Sequence, residues 1–291
     1  MGAYLSSPIT SKETWEGSGA DLKFGGAGMQ GWRRTMEDAH LAETTIGNDV
    51  SMSLFGVFDG HGGAEVAKFC QKHFINEIQR LREGSDEGID EILVRAFHRM
   101  DDMLRDGRYM NEIENMKTKE GKEEEEAGEE SEGGGAMDAL DLLKRVFQLK
   151  RFMGNDGQGE GGAGSSGAAS KPERDPEEMV QAGCTAVVAI KCGNELYVAN
   201  AGDSRGVLAR AGKAIALSED HKPASDTERS RIVAAGGFLS EIGGVCRVNG
   251  NLNLSRAIGD LRYKCNAELP AKEQIITAEP DIRKFSLTGE W

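Results

Sequence analysis

The 291-residue chain has no apolar run approaching the roughly 18 residues that a membrane-spanning helix needs, and its polar N-terminus lacks the basic-then-apolar order of a secretion signal. A soluble protein made in the cytosol is expected, acting in cytoplasm, nucleus or both. Positive charge is also in short supply: 35 Lys and Arg face 49 Asp and Glu, a formal net charge of −14. That deficit excludes a general polyanion binder, whose affinity rests on clustered cations, so no direct nucleic-acid binding is expected. The five cysteines, Cys70, Cys184, Cys192, Cys246 and Cys265, are odd in number and form no CxxC pair. They read as reduced, mostly buried thiols, against a disulfide framework or a zinc ribbon. Apolar material is ample, since 38% hydrophobic residues suffice for a sizeable core.

The negative charge is concentrated. Residues 111–135 hold ten Glu against three Lys, a net −7 and half of the total, and residues 121–167 hold 12 of the 39 glycines. Such a composition cannot offset the entropy of ordering the backbone. The chain therefore divides into an N-terminal tail at 1–21, a first domain part at 22–110, an acidic, glycine-rich, largely disordered insert at 111–178, and a second domain part at 179–291. Within the insert Ala139, Leu142, Leu143, Val146 and Phe147 recur at helical spacing, which predicts a short solvated helix or one resting on the domain.

The apolar run at 51–58 predicts a buried strand ending abruptly in the glycine-rich acidic turn Asp59-Gly60-His61-Gly62-Gly63. Two core-facing helices follow, one marked by Ala67, Cys70, Phe74, Ile78 and Leu81, the next by Ile89, Ile92, Leu93, Ala96, Phe97, Met100 and Leu104. Beyond the insert, 184–190 and 195–200 form a predicted hairpin across Gly193-Asn194, and 205–210 and 213–218 another across Ala211-Gly212. Residues 226–235 read as a helix stopped by Gly236-Gly237. The expected fold is α+β: two stacked antiparallel β-sheets flanked by helices, a four-layer α-β-β-α sandwich.

Three polar clusters stand at the ends of apolar runs: 33–38 (RRTMED), 59–63 (DGHGG) and 202–205 (GDSR). Carboxylates without His or Cys companions suit hard, oxygen-seeking ions such as Mg²⁺ or Mn²⁺. Two such ions close together would deprotonate a water between them, producing a nucleophile for in-line attack on phosphorus. His61, two residues past Asp59, could protonate the departing oxygen, and Arg33 could clamp a phosphate. Read from spacing alone, His61 is equally a turn histidine without a task, and an isolated Asp-Gly is usually only a turn.

Taken in order, MQGWRRTMEDAH at 29–40, FGVFDGHGG at 55–63, GCTAVVAI at 183–190, VANAGDSRGVL at 198–208, DHKP at 220–223 and RVNGNLNLSRAIGD at 247–260 resemble the motif series of metal-dependent serine/threonine protein phosphatases of type 2C. The opening MGAYLSSP and the acidic insertion resemble the gamma branch of that family. The resemblance covers about residues 22–110 and 180–291. It implies a β-sandwich flanked by helices that removes phosphate from Ser or Thr in proteins, using two Mn²⁺ or Mg²⁺ ions and a third, weaker one. Asp59 would bridge both ions and Gly60 would bind one through its carbonyl. Glu37 and Asp38 would hold metal-bound waters, Arg33 the substrate phosphate, and Asp203 the third ion. His61 would be the general acid. For His221, Arg256 and Asp260 the motif matches without an assignable chemical role, and structural bonding is expected.

Family members continue past the position of Trp291 into further metal aspartates, so this chain is expected to be a fragment of a longer phosphatase, binding metal weakly and turning over little by itself. Gly2 with Ser6 fits the N-myristoylation pattern, a single acyl chain giving weak, reversible membrane association. A monomer is expected. Two competing readings remain: a weakly active binding module whose acidic insert recruits basic proteins, and a metal nuclease, disfavoured by the acidic balance.

Overall fold

Strands with alternating apolar residues can bury one face each, and the computed structural model shows where those faces lie. It describes residues 4–47, 49, 51–117 and 180–288. The chain begins with the hairpin β1 (Glu13–Ser18) and β2 (Lys23–Gly28), followed by β3 (Ala39–Glu43) and β4 (Met52–His61). Helices α1 (Glu65–Arg82), α2 (Ile89–Arg105) and α3 (Met110–Met116) come next. After the insert run β5 (Gly183–Cys192), β6 (Glu195–Ala201), β7 (Val207–Arg210), β8 (Lys213–Ala216), α4 (Asp226–Ala234), β9 (Leu239–Ile242), β10 (Val245–Val248), β11 (Ile258–Gly259) and β12 (Asp281–Ser286).

The α+β class is as expected, with antiparallel sheets and flanking helices. One six-stranded sheet runs β3-β4-β5-β6-β12 with β11 also pairing to β5, and three further pairs, β1-β2, β7-β8 and β9-β10, form two-stranded sheets. Register decides which side chains meet. Phe58 pairs with Ala186 and Leu54 with Ile190, and this face is sealed by α1 and α2. Phe58 packs on Phe74 of α1 at 5.8 Å between ring centroids, and Phe74 meets Phe97 of α2 edge-on at 5.4 Å. Because side chains alternate across a strand, Asp59 must emerge on the other face. A satellite core of Ile232, Val248, Leu254, Ala257, Tyr263 and Ile276 surrounds α4, whose stop is Gly236 at φ +88°.

Several boundaries differ from the sequence reading. The strand expected to stop at Phe58 continues to His61, because β5 offers pairing partners as far as Gly183. The acidic segment is thus a strand end, and the turn begins only at Gly62. The tail expected at 1–21 contains β1, a mostly polar strand with little apolar signal, and Ile9 exchanges backbone hydrogen bonds with Gly31. Regular structure reaches Met116 rather than ending at 110: Ile113 is buried, and Glu112 accepts from Lys72 and His73 of α1. The helix expected around 139–147 lies outside the described residues, as does Gly2. All five cysteines are free, but only Cys70 and Cys184 are buried, fewer than expected.

Candidate active site

The end of β4 and the loop from β2 to β3 form one cleft of about 180 Å³, lined by Met29, Gln30, Arg33, Thr35, Met36, Glu37, Asp38, Asp59 and Gly60. The loop is shaped locally. Gln30 donates from Nε2 to the carbonyls of Arg33 (3.0 Å) and Arg34 (2.6 Å), and the Thr35 hydroxyl donates to Glu37 Oε1 at 2.9 Å. Gly60 is required by its surroundings, since a Cβ there would lie 2.4 Å from the Glu37 carbonyl oxygen. The absence of a side chain lets the two backbones touch and draws Glu37 and Asp38 against Asp59.

The electrostatics of this corner are unusual for exposed acids. Asp38 and Asp59 both reach solvent, yet the walls of the cleft displace enough water to raise each pKa above the ordinary carboxylate value. The two side chains are hydrogen-bonded to each other, and the negative charges of Asp38 and Asp203 push Asp59 up further. Arg33, exposed and without a salt bridge among the described residues, offsets part of this at Asp38.

Asp203 approaches because Gly202, at φ +120°, folds over Thr185, the ladder partner of Asp59, while Ser204 and Thr185 share a 2.6 Å hydrogen bond. The Gly202 N–H donates to His221 Nδ1 (3.1 Å) and the Asn200 amide to the Gly202 carbonyl (3.2 Å), which pins that peptide from both sides. Asp203 itself accepts from Lys222. His61, last in β4, bonds through Nε2 to Oδ2 of buried Asp260 at 2.7 Å. Burial disfavours its charged form, but the charge and hydrogen bond of Asp260, assisted by Asp59 and Glu37, outweigh that and raise its pKa.

A profile described as protein phosphatase 2C matches residues 22–123 and 162–291. The chain belongs to the protein phosphatase 2C family. It is 42% identical to a probable protein phosphatase 2C 11 of Oryza sativa subsp. japonica, across all of this chain and 73% of that protein. It is 40% identical to a protein phosphatase 2C 1 of Paramecium tetraurelia, across 100% of this chain and 76% of that one. The fold is shared with a phosphatase from Toxoplasma gondii (TM-score 0.55, 21% identity, 97% of this chain and 74% of that one) and with a C. elegans sex determining protein (TM-score 0.57, 21% identity, 98% of this chain and 50% of that one).

The phosphatase chain brings Arg33, Glu37, Asp38, Asp59 and Gly60 into one cleft, with Asp203 near enough to act on Asp59 by charge and His61 on the same strand end. These donors, carboxylates and a backbone carbonyl, match the oxygen preference of Mg²⁺ and Mn²⁺. Among the described residues no three His, Cys, Asp or Glu side chains converge on a common point.

His221 and Arg256 are structural, as expected. Arg256 grips Glu228 and Asp281, and His221 bonds Asp281 and Gly202. Three participants escaped the sequence reading: Lys222 on Asp203, Thr185 beneath Gly202, and Asp260 as the partner of His61. Lys222 sits inside the DHKP motif, but nothing in sequence tells which acid it meets.

Proposed function

We propose that this phosphatase removes phosphate from phosphoserine and phosphothreonine in proteins with Mn²⁺ or Mg²⁺ held at Asp59, Gly60, Glu37 and Asp38, and a weaker ion at Asp203. The observation that carries the reading is the contact of Asp38 with Asp59. Two carboxyls with raised pKa values, hydrogen-bonded to each other beside an arginine that has no salt-bridge partner among the described residues, make a place for divalent cations and a phosphate together. When bound, the ions supply positive charge at the phosphoryl group and acidify the attacking water.

The remaining work falls to the chain. Arg33, exposed at the rim, binds the substrate phosphate and orients it towards Asp59. Gly60 keeps the floor open, and the Thr35 hydroxyl holds Glu37 in place. His61, protonated more readily beside Asp260 than a free histidine, delivers a proton to the departing serine or threonine oxygen. Phosphate release from a phosphothreonine peptide, assayed with Mn²⁺, with chelator, and with Asp59→Asn, tests the reading. Turnover that survives both chelation and Asp59→Asn would refute it.

A further inference from the structure

We propose that Asp260 is a positioning residue of the reaction, accepting the Nε2–H of the His61 ring and so presenting the Nδ1–H of the imidazolium to the leaving oxygen of the substrate. The inference rests on the reading of His61 as general acid. A carboxylate can only accept, so the ring nitrogen facing Asp260 must carry the hydrogen, and orientation and tautomer are set together.

The surroundings are built for this contact. Asp260 is 1% exposed and, among the described residues, forms no ion pair with Lys or Arg, a costly arrangement for a carboxylate unless another group meets its charge. Its backbone lies in the left-handed region at φ 50°, ψ 39°, which non-glycine residues adopt rarely and which persists where neighbours over-determine it. Those neighbours are identifiable. The Asp260 N–H donates to the Ala182 carbonyl at 3.0 Å. The preceding Gly259 N–H donates to Asp101 of α2 at 2.8 Å, and Lys264 bridges Asp101 (2.5 Å) to the Ala257 carbonyl (2.7 Å). On the sheet side, Gly183 pairs with His61, and a Cβ there would fall 2.5 Å from Asp260 Oδ2 and 2.7 Å from His61 Nε2. The carboxylate–imidazole bond occupies the space a side chain at 183 would fill.

A general acid matters most when the leaving group is a poor one. The test compares the full chain with Mn²⁺ on phenyl phosphate, which needs a proton at the departing oxygen, and on 2,4-dinitrophenyl phosphate, which does not. Asp260→Asn preserves shape and tolerates the left-handed backbone, and thermal unfolding verifies its fold. It should lower kcat about tenfold or more on phenyl phosphate, little on the dinitrophenyl ester, and cost nothing further in a His61→Gln background. Equal loss on both esters, or equal loss with and without His61, makes Asp260 a brace alone and overturns the inference. A leaving-group-selective loss in His61→Gln with none in Asp260→Asn overturns it too and spares the general-acid reading. An unselective loss in His61→Gln refutes the general-acid reading itself. Independently of turnover, ring ¹⁵N shifts taken at alkaline pH, where the ring is neutral, should show His61 in the Nε2–H tautomer, a preference lost in Asp260→Asn. A wild-type Nδ1–H tautomer overturns the inference.

Discussion

Glu228 of α4 is the acid on which stability at low pH should turn. Its side chain is 2% exposed and accepts four hydrogen bonds: from Arg256 Nε (3.0 Å) and Nη2 (2.7 Å) on Oε1, and from Arg231 (2.8 Å) and the Ser255 hydroxyl (2.7 Å) on Oε2. Burial alone would raise its pKa, but the Arg256 bonds and the charges of both arginines outweigh burial and lower it from 4.5 to about 2. At about 1.4 kcal/mol per pH unit, that difference makes ionised Glu228 worth about 3 kcal/mol. Because the folded-state pKa is depressed, this stability is fully present above about pH 4.5 and is lost as pH falls towards 2. Glu228→Gln keeps the shape and strands two buried guanidinium groups, so it should cost about 3–5 kcal/mol at pH 7. Urea unfolding of both proteins from pH 7 down to 3 measures the effect, and the gap between them should shrink as the wild type loses its advantage. Asp281 also has a depressed pKa and contributes to both proteins, so the difference isolates Glu228. A gap below about 1 kcal/mol at pH 7, or one that does not shrink with acid, would refute the reasoning.

Phe74 fills the space between β4 and α2, fully buried, so Phe74→Ala should cost about 3–5 kcal/mol and lower the melting temperature while m-values stay unchanged. Lys264→Met should be destabilising by about 3 kcal/mol, because it leaves Asp101 buried and unpaired; an unchanged urea midpoint would contradict that. Gly60→Ala would drive a Cβ into the Glu37 carbonyl and should abolish calorimetric Mn²⁺ binding without unfolding the helical core. Lys222 neutralises part of Asp203 from a half-exposed position, so Lys222→Met should tighten Mn²⁺ binding by about two- to fivefold, and weaker binding would count against the proposed role of Asp203.

What could be read from sequence was what repeats locally. The faces of α1 and α2 follow from 3.6-residue spacing, and Phe97 and Met100 fall in the core as that spacing requires. Gly193-Asn194 and Ala211-Gly212 close hairpins, and Gly193 and Gly212 both take positive φ, as turn chemistry demands. The acids of the cleft were visible because each ends an apolar run. Strand β1 was not, since Trp15 is nearly alone among polar residues and is held by stacking on His40 at 3.4 Å, a contact that no local pattern encodes. The partner of His61 lies 199 residues away, and only β11 pairing with β5 brings Asp260 beside it. The edge of the insert was misplaced for the same reason: composition calls residues 111–117 disordered, whereas Lys72 and His73 on α1 give Glu112 a place to bind.

Among the described residues, the acids whose pKa values are displaced fall into two groups, and the division marks the site. Glu228, Asp281 and Asp220 each meet an arginine, and their pKa values are depressed, so their charges stabilise the fold at neutral pH. Asp38 and Asp59 have raised pKa values because the cleft walls shield both from water, and like charges add to this, Glu37 at Asp38, and Asp38 and Asp203 at Asp59. A protein selected for stability alone would place an arginine or lysine there, as it does on both sides of Glu228. Arg33 stands at the rim with no salt bridge of its own among the described residues and compensates only part of the field at Asp38. In the proposed function the balancing positive charge comes from solution, and the oxygen donors of the cleft suit hard divalent ions. That is also why the glycine at position 60 and the short link between Phe58 and Asp59 matter together. The first lets the Glu37–Asp38 backbone come within contact, and the second, by strand alternation, turns the carboxylate away from a core that could only bury it unpaired.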